Sequence, residues 1–566
     1  MASITPKIVN GHRYYYARIS KRIDGKPKIV QTIYLGTMDK IIKNAQAADQ
    51  IPQAEEVYIA ELGATSALFD IANRLQFIEI IDSHIPKRKQ GPTVGQYMLT
   101  AAINRAAQPT SKAALGEWFE NTIGPRLMAI KPRQLTSQAF WNHMDRLTQP
   151  MLINIENDLL VKIIDEFKID LNCLLYDATN FYTYINTKTE SQLARRGHNK
   201  QKRNDLRQVS LGMMTSADFH VPLLHMVYGG NINDAKQFGS VINELVNRYK
   251  QLTEACPHIT LVFDKGNNSE DNLESFKATG MHFVGSLKLN QCKELREISL
   301  RKYRDLKDPE LQELKAYRAR QKVFAEERTI LITYNENLLA GQLQGIGHNI
   351  RKCKAELGEL TKKLQRWATS KIRKGKKPTL DGIKKKVKTT LKREYMNEVI
   401  KTTIRTKDGF VQIKYRVDQE AISRLTRTVL GKTILFTDNH EWTDEQIVAA
   451  YRAQYKIEHA FREMKNPHFL GWNPRLHWTD QKIRVHAFYC VAALTLVSLL
   501  RRELAAKGMS ISAENLMEQL NGIRETACVY PQAKGQPPKL SYSISHLNKT
   551  QKQLYDLLKL ARFRQS

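Results

Sequence analysis

Residues 172–177 read NCLLYD, a short apolar run of strand character that leads into an aspartate. Strands are predicted next over 209–215 and 221–227, joined by the turn Ser216-Ala217-Asp218, and then a helix over about 233–249. The run ITLVF over 259–263 reads as a buried strand that ends in Asp264-Lys265-Gly266; a helix from Ser269 and a strand over 282–287 complete the series. Strands and helices in this order imply an α/β sheet.

Three strands able to pair antiparallel, followed by alternating helix and strand, form the order of an RNase H-like α/β core. In such a core the first and fourth strands are neighbours, so Asp177 and Asp264 would come close enough to share metal ions. The core is then interrupted by a large mixed, Lys-rich insertion. Strand-like pieces occur at 327–333, 410–417 and 433–437, and a long polar helical region lies between the first two. From Arg351 to Arg393 there are 17 Lys or Arg against Glu356, Glu359 and Asp381, with KIRKGKKPTLDGIKKK the most basic part. Pro378 and Gly382 are expected at the turn of a helical hairpin. Such a charge density favours contact with a phosphate backbone over a merely solvated face. The core resumes with the strand TILFT (433–437) and a helix opened by Thr443 and Gln446, which fit a capping box.

That helix carries YRAQYKIEHAFREMK, residues 451–465. At 100° per residue, Tyr451, Gln454, Glu458 and Lys465 fall on one stripe, and Arg462 shares it. One carboxylate is thereby set between an aromatic ring and cations. Taken singly, Asp177 or Asp264 reads as a turn former or a helix cap. Taken with Glu458, in this strand order and in a chain of formal charge +31, they read as a two-metal phosphoryl-transfer site.

Outside the core, residues 1–50 are expected to form a β-hairpin unit, with strands over 14–20 and 28–35 and a turn at Asp24-Gly25. Its Arg and Lys residues alternate with Tyr14, Tyr15 and Tyr16, which suits either DNA-end binding or a solvated charged face. The remaining organisation is a helical domain over 51–168, core segments over 169–289 and 441–505, an inserted domain over 290–440, and a C-terminal helical region over 506–566. With 88 Lys plus Arg against 57 Asp plus Glu, a polyanionic partner is expected. The six cysteines lie far apart with no CxxC pair, which argues against zinc and disulfides. No apolar segment follows the N-terminus as a secretory signal would, so a reducing cytoplasm, in association with the nucleoid, is expected. The run FYCVAALTLVSLL (488–500) is too short for a bilayer and reads as a core helix, so no membrane partner is expected.

YDATNFY around Asp177, GHNKQKRNDLRQVSLGMM, GNINDAKQF, DKGNNSEDN and YRAQYKIEHAFREMK together resemble the successive blocks of DDE transposases of bacterial insertion sequences, family four. The last block resembles that family's Y-(2)-R-(3)-E-(6)-K signature, with Tyr451, Glu458 and Lys465 in register and Gln454 at the arginine position. The resemblance implies Asp177, Asp264 and Glu458 as catalytic metal ligands for two Mg²⁺ or Mn²⁺ ions. It implies Tyr451, Gln454, Arg462 and Lys465 as DNA contacts. Double-stranded DNA, as element ends and as target, would be the partner of a homodimer, with cleavage and strand transfer by a cut-and-paste route and no small-molecule substrate. A nuclease that hydrolyses without joining, or a catalytically silent transposase-derived DNA-binding protein, stays open as an alternative.

Overall fold

The computed structural model describes residues 2–565 except 24–25, 49–52, 87–89, 186–187, 198, 200–202, 204, 233–237, 240–242, 245–247, 249–257, 265, 267, 278, 289–290, 292, 370–375, 473–476, 478 and 532–536. The turn expected at 24–25, most of the helix expected over 233–249 and the first residues of the most basic run lie outside the described residues.

In chain order the strands are β1 (Ala2–Val9), β2 (His12–Ile23), β3 (Lys26–Gly36), β4 (Glu56–Glu61), β5 (Cys173–Thr183), β6 (Arg207–Ser216), β7 (Pro222–Gly229), β8 (Thr260–Val262), β9 (His282–Leu287), β10 (Arg304–Asp305), β11 (Leu314–Val323), β12 (Glu326–Asn335), β13 (Ile400–Lys407), β14 (Phe410–Val417), β15 (Lys432–Thr437), β16 (Arg524–Tyr530) and β17 (Lys539–Ile544). Nine of them form one mixed sheet in the order β10-β11-β12-β15-β9-β8-β5-β6-β7. β5 pairs antiparallel with β6 and parallel with β8; β8 is parallel to β9, and β15 returns antiparallel beside β9. The middle of this sheet is apolar because its strands are covered. β6 is buried at all but its first residue, as the run VSLGMMT predicts for a strand with no solvated face.

Three features differ from expectation. Asp177 is not at a strand end: β5 continues to Thr183, because its second half pairs residue by residue with β6. The segment 290–440 is not one inserted unit. β10, β11, β12 and β15 extend the main sheet, and the separately packed part begins with the helix Glu336–Ala368 and ends with the helix Gln419–Thr428. Its own core joins Ile346, Cys353, Leu357 and Leu364 to Ile383, Val387, Val411 and Ile413. Gly382 lies within the helix Leu380–Thr390, whose N-cap is Thr379, one residue after Pro378. Third, both ends of the chain contain strands that local reading passed over. The N-terminal unit is a three-stranded antiparallel sheet with β1 added, and Asn10 and Gly11 take φ of 49° and 79° in the tight turn before β2. The region 506–566 is not wholly helical, since β16 and β17 form a three-stranded sheet with β4.

The helix Asp480–Ala506 is long and apolar enough to cross a membrane, yet its most apolar window is 94% buried inside the protein. It packs against β7 and against the helices Gly63–Arg74, Val94–Ala107 and Gln149–Phe167. A layer of helices from 63–167 is thereby joined to the sheet. The start of that layer is closed by the C-terminal segment: Leu62 and Gly63 both donate their amides to the Ile523 carbonyl. A Cβ at Gly63 would lie 2.3 Å from the Leu520 carbonyl oxygen and 2.9 Å from Ile523 Cβ. Backbone cannot yield as a flexible side chain can, so Gly63→Ala is expected to destabilise the full-length chain by about 1–3 kcal/mol. A lowered urea midpoint with unchanged slope is the expected readout.

Candidate active site

The helix Asp444–Lys465 lies on the sheet beside β5, β8, β9 and β15. Its start is fixed by the predicted capping box: the Gln446 amide donates to Thr443 Oγ1 at 3.2 Å, and the Thr443 amide donates to Gln446 Oε1 at 2.9 Å. Asp444 and Glu445 in the first turn and Arg462 and Lys465 in the last complement the helix dipole. Ile447, Val448, Ile457, Ala460, Phe461 and Met464 are buried and supply the packing. The polar stripe is what remains of the helix surface.

Both ends of the stripe are tied to the sheet by hydroxyls. The Tyr451 hydroxyl donates to Ser286 Oγ on β9 at 2.8 Å. Lys465 Nζ donates to Thr179 Oγ1 on β5 and lies 5.5 Å from the centroid of the Phe181 ring. Glu458 is midway between them, seven residues or about 10.5 Å of helix from each. Its side chain is exposed.

The two aspartates are brought together by strand register. Leu175 of β5 faces Val262 of β8 in the parallel pair. Asp177 lies two residues beyond Leu175 within β5, and Asp264 lies two residues beyond Val262, where β8 has ended, so the register brings the two segments level just before the aspartates. Adjacent strands are about 4.8 Å apart. Beyond Val262 the chain stays beside β9, where the Phe263 amide donates to the Val284 carbonyl at 3.2 Å. Both carboxylates are half-buried, and Asp177 Oδ1 accepts from the Ala178 amide at 2.8 Å.

Tyr451 reports the proximity of the other two acids. Its phenol is pushed above the usual value chiefly by burial; a hydrogen bond from the Ser286 hydroxyl to the phenolate form opposes this, and the Asp264 and Glu458 carboxylates add to it. Tyr451 thus lies in the field of both. Among the described residues no three His, Cys, Asp or Glu side chains are close enough together to hold one ion. Asp264 and Glu458 both lie near Tyr451, and the three carboxylates do not form a ligand shell. Three hard oxygen donors with no Cys or His among them are nevertheless the donor chemistry that suits Mg²⁺ or Mn²⁺.

Arg462 is exposed one turn beyond Glu458. Arg452 points away and pairs with Glu313 at 2.6 Å. Gln454 is placed differently from expectation: it is only 7% exposed. It is not presented to a ligand as Arg462 and Lys465 are.

The Transposase DDE domain family matches residues 170–496, more than half of the chain. The chain belongs to the DDE transposase family. The matched span of this transposase includes Asp177, Asp264, Glu458 and the whole insertion between β12 and β15. The comparison with curated proteins found no match. Among solved structures, a piggyBac transposase synaptic complex with hairpin DNA is similar over 83% of this transposase and 82% of that chain, at 9% identity and a TM-score of 0.32.

Two residues at the site were missed in the sequence, Thr179 and Ser286. Thr179 carries a readable signal, since it lies two positions after Asp177 and so shares its face of β5. Ser286 has no such mark.

The same helix holds a second, different glutamate. Glu463 is 8% exposed, and its Oε2 has no hydrogen-bond partner among the described residues. His459 Nδ1 is 3.4 Å from its other oxygen. Burial pushes its carboxyl up to about 7; Arg501 works against this and Glu514 with it. Below the unfolded value of 4.5 the group is protonated in both states. As pH rises toward 7 only the unfolded chain ionises, so stability is lost across that window. Glu463→Gln is therefore expected to be more stable than wild type at pH 8, by on the order of 2 kcal/mol, and equal to it at pH 4.5. Denaturant titrations at the two pH values check this.

Proposed function

We propose that this transposase cleaves the ends of a bacterial insertion sequence and joins them to target DNA by metal-dependent phosphoryl transfer, as a member of family four acting by a cut-and-paste route. The observation that supports the reading is the register of β5 with β8, which sets Leu175 level with Val262 two residues before Asp177 and Asp264, with Glu458 on a helix packed beside both strands. The order β7-β6-β5-β8-β9, antiparallel in its first three strands and parallel from β5 to β9, supports an RNase H-like core.

Asp177, Asp264 and Glu458 would hold Mg²⁺ or Mn²⁺. Two such ions, when bound, lower the pKa of an attacking water or 3′-hydroxyl and stabilise the leaving oxygen. Lys465 and Arg462 supply positive charge on the same face and would hold the phosphates of the strand being cut. Tyr451 flanks that strand from the other end of the stripe, with its ring fixed by Ser286. Buried Gln454 would act from beneath the stripe, shaping the path of the strand rather than carrying charge to it. Water as nucleophile frees the 3′-hydroxyl of the element, and that hydroxyl then attacks target DNA; no covalent bond to the protein is needed.

Double-stranded DNA is the partner, and a homodimer would present two such sites to two element ends in the bacterial cytoplasm. The basic insertion supports this reading. Lys384, Lys385 and Lys388 are exposed along the helix Leu380–Thr390, while Ile383 and Val387 face inward. The helix thus offers a cationic face with a packed back.

Glu458→Gln is expected to abolish Mg²⁺-dependent cleavage of element ends while leaving DNA affinity nearly unchanged. Retained cleavage would overturn the assignment of the three carboxylates. Replacing Lys384, Lys385 and Lys388 together by Gln is expected to weaken binding and reduce the slope of log K against log salt by about 2–3, at roughly 0.9 per lost phosphate contact. An unchanged slope in a fluorescence titration would return that helix to a solvated face.

A further inference from the structure

We propose that Thr179 is a positioning residue, which fixes the Lys465 ammonium beside Asp177 and so sets where the scissile phosphate is held. This rests on the reading that Asp177 and Lys465 act on one DNA strand.

Lys465 is the last residue of its helix, with an exposed four-carbon stem. A terminal lysine of this kind loses considerable rotamer freedom on being held, roughly 2 kcal/mol for the whole side chain. Something must offset that loss if the charge is to be found in one place before DNA arrives. β5 provides the seat. Asp177, Thr179 and Phe181 alternate along one face of the strand. The Thr179 hydroxyl accepts from the ammonium and the Phe181 ring lies beneath it at 5.5 Å. The ring is itself immobilised: Phe181 is 1% exposed and stacks on Trp472 with centroids 4.2 Å apart and planes 12° from parallel. The Trp472 amide in turn donates to the Met464 carbonyl, at the residue before Lys465.

Threonine suits this seat for two reasons. Its β-branched side chain is stiff at χ1, so the acceptor oxygen holds a fixed direction from the strand. The hydroxyl is also neutral, so it contributes an acceptor without adding a negative charge beside Asp177. An ammonium has three donors, and Thr179 occupies one. Two residues along a strand span about 6.6 Å, which sets the spacing between the cation's seat and the Asp177 carboxylate.

The test is a double-mutant cycle on the full-length chain, read as the single-turnover rate of element-end cleavage at saturating DNA. Thr179→Val keeps shape and strand preference and removes only the acceptor. It is expected to lower the rate about tenfold or more, the range for a lost hydrogen bond to a charged group. DNA affinity should change far less. Thr179→Ser restores the acceptor and is expected to recover the rate to within about threefold of wild type. In a Lys465→Ala background, Thr179→Val is expected to have no further effect, because Thr179 acts through Lys465.

Equal losses from Thr179→Val in both backgrounds would mark a structural role and overturn the proposal. So would a wild-type rate for Thr179→Val, a wild-type rate for Lys465→Ala, or a Ser variant as slow as the Val variant. If the Val variant fails to fold, Thr179→Ala completes the same cycle. Glu458→Gln run alongside separates the two levels: cleavage by that variant defeats the reading of the site. Its silence, with no effect of Thr179→Val, defeats the role of Thr179 alone.

Discussion

The parallel pairing of β5 with β8 is the constraint on which the rest of the molecule depends. It is short, since only Thr260–Val262 carry the ladder on one side. A slip of one residue would put the segment leading to Asp264 out of step with the one leading to Asp177. Burial opposes such a slip: Leu174, Leu175, Leu261, Val262 and Phe263 are all nearly inaccessible to water. A one-residue slip would exchange side chains of different shape between two close-packed faces. Core packing thus fixes the chemistry indirectly, by making one register far better than its neighbours.

The helix Asp444–Lys465 then spans that register. Its apolar side belongs to the core and its polar side to the site, and Ser286 and Thr179 hold it over β9 and β5. The insertion is attached just upstream and disturbs little. It leaves the sheet at the end of β12 and returns at the start of β15, and those two strands are paired, with Tyr334 facing Lys432. The Asn335 amide also donates to the Gly431 carbonyl at 2.9 Å. A large basic unit with its own core can hang from two adjoining strand ends without breaking the sheet. Gly431 has a φ of 73° there, and a Cβ would lie 2.9 Å from the Tyr334 ring, so the junction is built on the absence of a side chain.

Local patterning made the interior legible. The runs around Leu175, Leu211, Val262 and Val284 are apolar because their strands are covered, and the capping box at Thr443 was readable from two residue types at a fixed spacing. Patterning failed where a segment is half-solvated or depends on distant partners. The strand expected to lead into Asp177 continues through ATNFYT because of its ladder with β6. β16 and β17 are short and partly exposed, and β1 contains a proline; each is held by pairing rather than by composition. The contacts made by the hydroxyl anchors were beyond reach for another reason, although the face of Thr179 was readable. Thr179 and Lys465 are 286 positions apart, and Ser286 and Tyr451 are 165 apart. No local period encodes such contacts. The burial of Gln454 likewise depends on how the helix packs in the fold, which a helical wheel does not contain.

The pairing of β4 with β16 joins residues near opposite ends of the chain, and this bears on synthesis at the ribosome. Glu56–Glu61 emerges early but lacks its ladder partner until Arg524–Tyr530 has been translated. Until then the strand edge at Val57, Tyr58 and Ile59 stands open, and the helical layer beside it lacks the Ile523 contacts that close it. Non-local pairings of this kind are slow to form. The nascent transposase therefore cannot close this sheet until Arg524–Tyr530 has left the ribosome.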